Sequence, residues 1–289
     1  MRKVIDFDAH IIPLEDWIEI AVNWLVINFR PQFQAIKWPV EQTLNGIDRL
    51  LQVMPPILVL IVLFVIAWRT AGWRIGLFGV ITFTFIGFLG LWEDTMTTLS
   101  MVLSAVLFCT AVGIPLGIIA ARSNRFETFI RPVMDAMQTT PAFVYLVPVV
   151  MLFSIGTVAG VIATIIFSMP PIIRLTNLGI RQVQPDVVEA AKAFGSTSGQ
   201  VLWKVQFPLA MPTIMAGLNQ TIMLSLSMVV IAALIGAGGL GLPVFEGLNS
   251  LRVGLAGIGG LSIVLLAMVL DRITQALGKS KKRGRKETV

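Results

Sequence analysis

Seven runs of apolar residues, each about as long as a membrane-crossing helix, alternate with short polar connections along this chain of 289 residues. An α-helix of about 17 to 25 apolar residues crosses the hydrocarbon core of a bilayer. Inside lipid every backbone polar group must find its partner within the protein, so such runs fold as helices. The predicted spans are 50–68, 75–92, 97–121, 132–153, 157–173, 211–237 and 253–276.

The composition also indicates a polytopic membrane protein. Of all residues, 56% are hydrophobic and 13% are charged, whereas a soluble domain carries about 25% charged residues. We therefore predict an all-α polytopic membrane protein with about seven transmembrane helices. Because Pro141 and Pro148 interrupt the fourth run, residues 132–173 form either two spans or one span with a re-entrant piece. The second arrangement leaves six spans.

An amphipathic helix is predicted ahead of the first span. Between residues 13 and 29, apolar side chains recur at helical spacing, with acidic and amide side chains set against them. Arg30-Pro31 follows this pattern and is predicted to end the helix. The helix either lies in the membrane interface or packs on the rest of the protein.

Basic residues mark the connections predicted to face the cytoplasm, because loops on that side carry an excess of Lys and Arg. They recur in alternate connections and in the tail, at Arg122, Arg125, Arg131, Arg174, Arg181, Lys192, Lys204 and residues 279–286. Seven spans place the C-terminus inside and the N-terminus outside, and six spans reverse the N-terminus. The basic tail is predicted to touch anionic membrane lipid rather than nucleic acid.

The polar stretch 185–212 predicts two short helices outside the bilayer. Pro185 suits a first helical turn, Glu189 complements the helix dipole, and Gly195 suits the left-handed stop of the first helix. Thr197 and Gln200 have the spacing of a capping box for the second helix. That helix is predicted to end at Pro208, where proline removes a backbone donor.

Within this stretch, Glu189-Ala190-Ala191 is followed by three residues, Gly195, nine residues and Val205-Gln206-Phe207-Pro208. This pattern resembles the EAA loop of the permease subunits of ABC-type importers, which docks into a groove on a cytoplasmic ATPase. The resemblance implies that residues 181–210, here called the coupling segment, bind an ATPase. The implied coupling residues are Glu189, Ala190, Ala191, Gly195 and Pro208.

The stretch 131–241 resembles most closely the permeases for glycine betaine, proline betaine and related quaternary-ammonium osmoprotectants. Residues 138–142, 168–174 and 232–241 carry the match and read QTTPA, SMPPIIR and AALIGAGGLG. Choline, carnitine or an amino acid is the alternative substrate. A secondary transporter or channel that works alone is the alternative from another class, although we find neither the inverted repeat nor the buried carboxylates expected of one.

The resemblance also implies how the chain is divided and which partners it has. Residues 1–48 form the N-terminal region, 49–94 two peripheral spans, 95–277 a five-helix permease core that includes the coupling segment, and 278–289 the basic tail. The expected partners are an ATP-binding cassette ATPase, an external substrate-binding protein and a second copy of the permease. The expected location is the inner membrane of a bacterium.

The energy for transport is predicted to come from the ATPase partner. Gly278-Lys279-Ser280 matches the end of a phosphate-binding GxxxxGK[ST] loop, but Ile273 stands where its first glycine is required. His10 is the only histidine, so a His-based metal cluster is excluded. We therefore expect no catalytic residue, metal or cofactor in this chain, with ATP and Mg²⁺ bound by the partner.

Two segments of irregular backbone are predicted to border the translocation pathway. Pro141 and the run 236–241 would leave backbone groups unpaired, which a bilayer tolerates only inside protein or along a cavity. The candidate pathway residues are Gln138, Thr139, Thr140, Pro141, Gly236 and Gly238.

Few polar or close-packing signals lie within the predicted spans. Asp135 is within helical reach of Arg131, which predicts an ion pair, with gating as the alternative. Gly113 and Gly117 have the GxxxG spacing that permits close contact between helices. Other polar side chains either line a pathway or bond across helices, namely Asn177, Asn219, Gln220, Ser225 and Ser227.

Overall fold

The computed structural model describes residues 13–279, and every regular element in that range is helical. The α-helices are α1 (Leu14–Val53), α2 (Pro56–Ala71), α3 (Trp73–Phe88), α4 (Trp92–Arg122), α5 (Asn124–Thr139), α6 (Leu146–Phe153), α7 (Thr157–Ser168), α8 (Pro170–Arg181), α9 (Pro185–Ala193), α10 (Ser198–Val201), α11 (Phe207–Ala232), α12 (Gly241–Asn249) and α13 (Val253–Lys279). Residues 1–12 and the predicted basic tail from residue 280 onward lie outside the described residues.

Four helical stretches within the described residues are long and apolar enough to cross a membrane. They are Trp92–Arg122, Thr157–Arg181, Ser198–Ile235 and Val253–Gly278. Two bent helix pairs bring the number to as many as six, and α3 is a shorter apolar helix of 16 residues. The all-α polytopic fold predicted from the apolar runs is confirmed.

Helix α1 is longer than predicted, because it runs for 40 residues and contains both Pro31 and Pro39. The prediction that the helix ends at Arg30-Pro31 is therefore wrong. Beyond these prolines, Val40 and Leu44 are buried in the apolar core. Tertiary packing of this kind outweighs the loss of a backbone hydrogen bond at each proline.

Helix α8 packs against both α4 and α11, and both neighbours approach it through glycines. A Cβ atom built on Gly113 would come within 2.4 Å of the Ile172 side chain. On the opposite side, a Cβ built on Gly217 would lie 3.0 Å from the Leu175 side chain. The close helix contact predicted from the GxxxG spacing at Gly113 is confirmed.

The predicted span 132–153 is not one helix. The helical stretches Asn124–Thr139 and Ala142–Phe153 meet at an angle of 107°. Thr140 is extended, with φ −70° and ψ 126°, because the ring of Pro141 disfavours helical geometry in the residue before it. Helix α5 is amphipathic and buries only Met134. It therefore lies on the surface of the protein, with most of its side chains exposed or partly exposed.

Candidate functional site

The first helix of the coupling segment, α9, is exposed and ends as predicted at Gly195. This glycine has φ +82°, the left-handed region that favours glycine. Its N–H donates to the Lys192 carbonyl over 2.9 Å, and the Ser196 N–H donates to the Ala191 carbonyl over 3.1 Å. These two bonds form the Schellman ending of a helix, and they turn the chain sharply after α9.

The capping box that begins the second helix is also confirmed. The Thr197 hydroxyl accepts from the Gln200 N–H over 3.4 Å, and the Gln200 side-chain oxygen accepts from the Thr197 N–H over 2.9 Å. These two bonds satisfy backbone donors that a helix N-terminus otherwise leaves unpaired. The stop signal at Gly195 and the start signal at Thr197 therefore both act locally, as the sequence indicates.

Pro208 does not end the second helix, and that prediction is wrong. A π-helical turn, Leu202–Gln206, joins α10 to α11, and Pro208 lies in the first turn of α11. A proline ring clashes with the carbonyl four residues earlier in an α-helix, and the wider π turn lies at that point. The coupling segment thus continues as one helical rod, Ser198–Ile235, into the membrane region.

The outer surface of the coupling segment carries exposed apolar and acidic groups. Phe194 is 91% exposed, and Trp203 is 58% exposed with its ring centre 5.2 Å from that of Phe207. Glu189 and Ala190 are exposed as well, and Glu189 has no ion-pair partner within residues 13–279. Exposed aromatic residues of this kind are enriched at protein interfaces.

A polar cluster that the sequence analysis missed holds the end of α8, where the coupling segment begins. The Arg181 guanidinium donates over 2.8 Å to the Asn177 side chain and over 2.8 Å to the Ala120 carbonyl. It also forms an ion pair of 3.0 Å with Glu127. The Asn177 amide donates to Glu127 over 3.2 Å. Only the three-dimensional packing reveals Glu127 as the common partner.

The predicted ion pair between Asp135 and Arg131 is wrong. Asp135 pairs with Arg174 of α8, and Arg131 pairs with Glu127 one turn earlier on its own helix, over 2.9 Å. The hydrogen bond from Arg131 holds the pKa of Glu127 below its usual range, with further help from Asn177 and Arg181. Glu127 is therefore a carboxylate at neutral pH.

The candidate pathway residues beside Pro141 lie on the outside of this single chain. Gln138, Thr139 and Pro141 are exposed, and Thr140 is partly buried. The Thr139 and Thr140 hydroxyls donate to the Ala136 carbonyl over 3.3 and 2.8 Å. These two hydroxyls therefore bond to the backbone at the end of α5, and the exposed Gln138 makes no such bond among the described residues.

The glycine run 236–241 is better paired than predicted. Thr98 of α4 accepts a hydrogen bond from the Leu240 N–H over 2.8 Å, and the Ile235 carbonyl accepts one from the Gly156 N–H over 3.0 Å. Gly236 has φ +72° and is exposed. The irregular backbone is thus supported by partners inside the protein, one of the two settings in which a bilayer tolerates it.

The positions at which Gly236 and Gly238 would carry a side chain are not in contact with residues 138–141. A Cβ built on Gly236 meets only Ile155 within 4 Å, and one built on Gly238 meets only Thr97. Among the other polar side chains, Asn219 and Ser225 bond across helices, the second of the two roles predicted for them, whereas the Ser227 hydroxyl donates to the Met223 carbonyl of its own helix. Asn219 of α11 donates to Asp271 of α13 over 3.0 Å, and Ser225 of α11 donates to Ser168 of α7 over 3.0 Å.

The comparisons with known proteins assign the family. Residues 113–283 match the family described as "Binding-protein-dependent transport system inner membrane component", which is more than half of the chain. The chain belongs to this family. It is an inner-membrane, multi-pass permease component of an ABC-type importer, and the family name itself implies a binding-protein partner.

Two relatives resemble this permease over nearly its whole length. The glycine betaine/proline betaine transport system permease protein ProW of Escherichia coli is 54% identical over 96% of this chain and 79% of its own length. The glycine betaine transport system permease protein OpuAB of Bacillus subtilis is 46% identical over 95% of this chain and 97% of its own length. The resemblance therefore extends well beyond the coupling segment.

The solved structure of the inward-facing MetNI methionine ABC transporter shares the fold of this permease. The TM-score is 0.54 and the sequence identity 23%, with 65% of this chain and 92% of that chain covered. At this level of identity the similarity supports the helical architecture alone.

Proposed function

We propose that this permease is the membrane subunit of an ATP-driven importer for glycine betaine, proline betaine or closely related quaternary-ammonium solutes. The observation that carries the proposal is the near full-length similarity to the Escherichia coli relative, whose name states that substrate class. The alternative substrates are choline, carnitine and amino acids, and they are distinguished by competition in a transport assay.

The proposed complex contains two copies of the permease, two ATPase subunits and an external binding protein. The coupling segment is the proposed ATPase contact, with Glu189, Ala190, Ala191 and Gly195 on or beside α9 and Pro208 at the start of α11. The exposed aromatic residues Phe194 and Trp203 support a docking role. ATP and Mg²⁺ are bound by the ATPase, and this permease contributes no cofactor of its own.

In the proposed cycle, closure of the two ATPases around ATP draws the paired coupling segments together. The rod Ser198–Ile235 connects the coupling segment directly to the glycine run, so a tilt at one end displaces the other. Residues 138–141, of which all but Thr140 are exposed, and the exposed Gly236 are proposed to line the pathway where the second copy covers them. The proposed orientation has the coupling segment and C-terminus in the cytoplasm and the N-terminus outside.

The proposal is tested by reconstituting the permease with its ATPase and binding protein in vesicles and measuring uptake of labelled glycine betaine. Uptake is expected to require both ATP and the binding protein, and unlabelled proline betaine should compete. The matched control contains all components with a non-hydrolysable ATP analogue. Downhill flux through the permease alone would instead identify a stand-alone transporter or channel, and competition by choline, carnitine or an amino acid alone would reassign the substrate.

A further inference from the structure

We propose that Arg181 and Glu127 form a clasp that makes α5 move with the coupling segment and thereby sets the amount of solute imported per ATP hydrolysed. The proposal rests on the proposed function, because it assigns positioning residues to the same coupling event. The clasp is defined here as Glu127, Asn177 and Arg181, which lie on α5 and α8.

Arg181 occupies the point where force from the ATPase would enter the membrane region. It is the last residue of α8, and only residues 182–184 separate it from α9. A cleft of about 490 Å³ separates this link from α11, and it is lined in part by Gln182, Val183 and Leu209. The short link of residues 182–184 therefore joins the coupling helix covalently to Arg181.

Arg181 joins the ends of three helices at once. The Ala120 carbonyl lies in the last turn of α4, where carbonyls have no partner within their own helix, and the Arg181 guanidinium donates to it. The same guanidinium pairs with Glu127 in the first turn of α5. A planar guanidinium can serve both acceptors in fixed directions, whereas a lysine ammonium offers a single point of charge.

Helix α5 depends on such polar ties because Met134 is its only buried side chain. A second tie joins Asp135 to Arg174. The two ties are separated by eight residues on α5 and seven on α8, which corresponds to about 12 and 10.5 Å of helix. Helix α5 is therefore fastened alongside α8 at two levels, and a displacement of α8 carries α5 with it.

The far end of α5 bears the candidate pathway residues. Gln138 and Thr139 belong to its last turn, and the bend at Thr140-Pro141 follows. A movement of the coupling segment is thus passed through Arg181 and Glu127 to the bend. If the clasp is broken, the ATPases can still close and hydrolyse ATP, while α5 keeps only the Asp135–Arg174 tie and follows α8 less closely.

The test uses the complete complex in vesicles, with ATP hydrolysis and glycine betaine uptake measured on the same preparation. In Arg181→Gln and in Glu127→Gln, ATP hydrolysis should continue while uptake per ATP falls about fivefold or more, the lower end of typical coupling between two sites. Arg181→Lys should give an intermediate ratio, because it keeps the charge but not the forked geometry.

Arg131→Gln is the matched control. Arg131 also pairs with Glu127, but it does so from the same helix, so uptake per ATP should stay at the wild-type value. An unchanged ratio in both clasp variants overturns the proposal. So does a fall of hydrolysis and uptake in the same proportion, which would assign the clasp to assembly alone. Uptake by the wild-type complex without ATP would instead reject the proposed function.

Discussion

Gly117 of α4 lies against Thr176 of α8 so closely that a Cβ atom built on Gly117 would come within 2.6 Å of the Thr176 Cβ and within 2.8 Å of the Ile173 carbonyl oxygen. Contact of this kind between backbones is typical of helices that associate in membranes through small residues. The relationship explains why α8 can be buried between two neighbours.

Gly117→Ala is expected to lower the free energy of unfolding by about 1–3 kcal/mol, because the added methyl overpacks the α4–α8 contact. Denaturant unfolding of the purified permease in detergent measures the change. Gly257→Ala in α13 is the comparison, since a Cβ there meets nothing within 4 Å. Equal free energies of unfolding for the two variants would show that α4 and α8 accommodate the added methyl group without loss of stability.

Gly195→Asp is expected to abolish solute uptake while the permease remains in the membrane at wild-type amounts. The φ of +82° favours glycine over any residue with a side chain, and nothing lies within 4 Å of the new Cβ, so the damage stays local to the turn and to the surface beside it. Uptake in vesicles and membrane content by immunoblot provide the measurement.

Gly199→Asp supplies the matched negative charge on the same segment. Its Cβ is also unobstructed, and it lies near the start of α10, where an acidic side chain is favourable. This variant is expected to retain much more uptake than Gly195→Asp. Comparable uptake in the two variants would refute the importance of the left-handed turn.

Thr98→Val is expected to destabilise the permease by about 1–3 kcal/mol, because the buried Leu240 N–H loses its acceptor. Thr95→Val makes the same chemical change one turn earlier in α4. The Thr95 hydroxyl bonds only back to the Leu91 carbonyl among the described residues, so its loss leaves no donor unpaired. Thermal unfolding that is identical for both variants would contradict this account of the glycine run.

The stability contributed by Glu127 is expected to depend on pH. Because hydrogen bonds from Arg131 and Asn177 and the charge of Arg181 lower its pKa in the folded protein, this contribution is fully present above the unfolded pKa of about 4.3. It is lost as the pH falls through the lower, folded value. The stability difference between wild type and Glu127→Gln should therefore shrink in acid. A difference that is constant from pH 7 to acid would rule out the paired carboxylate as its source.

The coupling segment shows how far local chemistry can be read from the sequence. The stop at Gly195 and the capping box between Thr197 and Gln200 depend on hydrogen bonds within a few residues, and both were predictable. The continuation of the helix through Pro208 was not predictable, because it depends on a π turn within a longer packed helix. The same reason explains why α1 continues past Pro31.

The sequence by itself determined the membrane class, the helical content, the close contact at Gly113 and Gly117, and the two local signals of the coupling segment, because each depends on composition or short spacing. Tertiary structure alone decided that Asp135 pairs with Arg174, that Glu127 gathers Arg181 and Asn177, and that Thr98 supports the glycine run. These partners are 39 to 142 residues apart in the chain. Spacing along one helix cannot reveal them, because the packing of other helices brings their charges and hydrogen-bonding groups together.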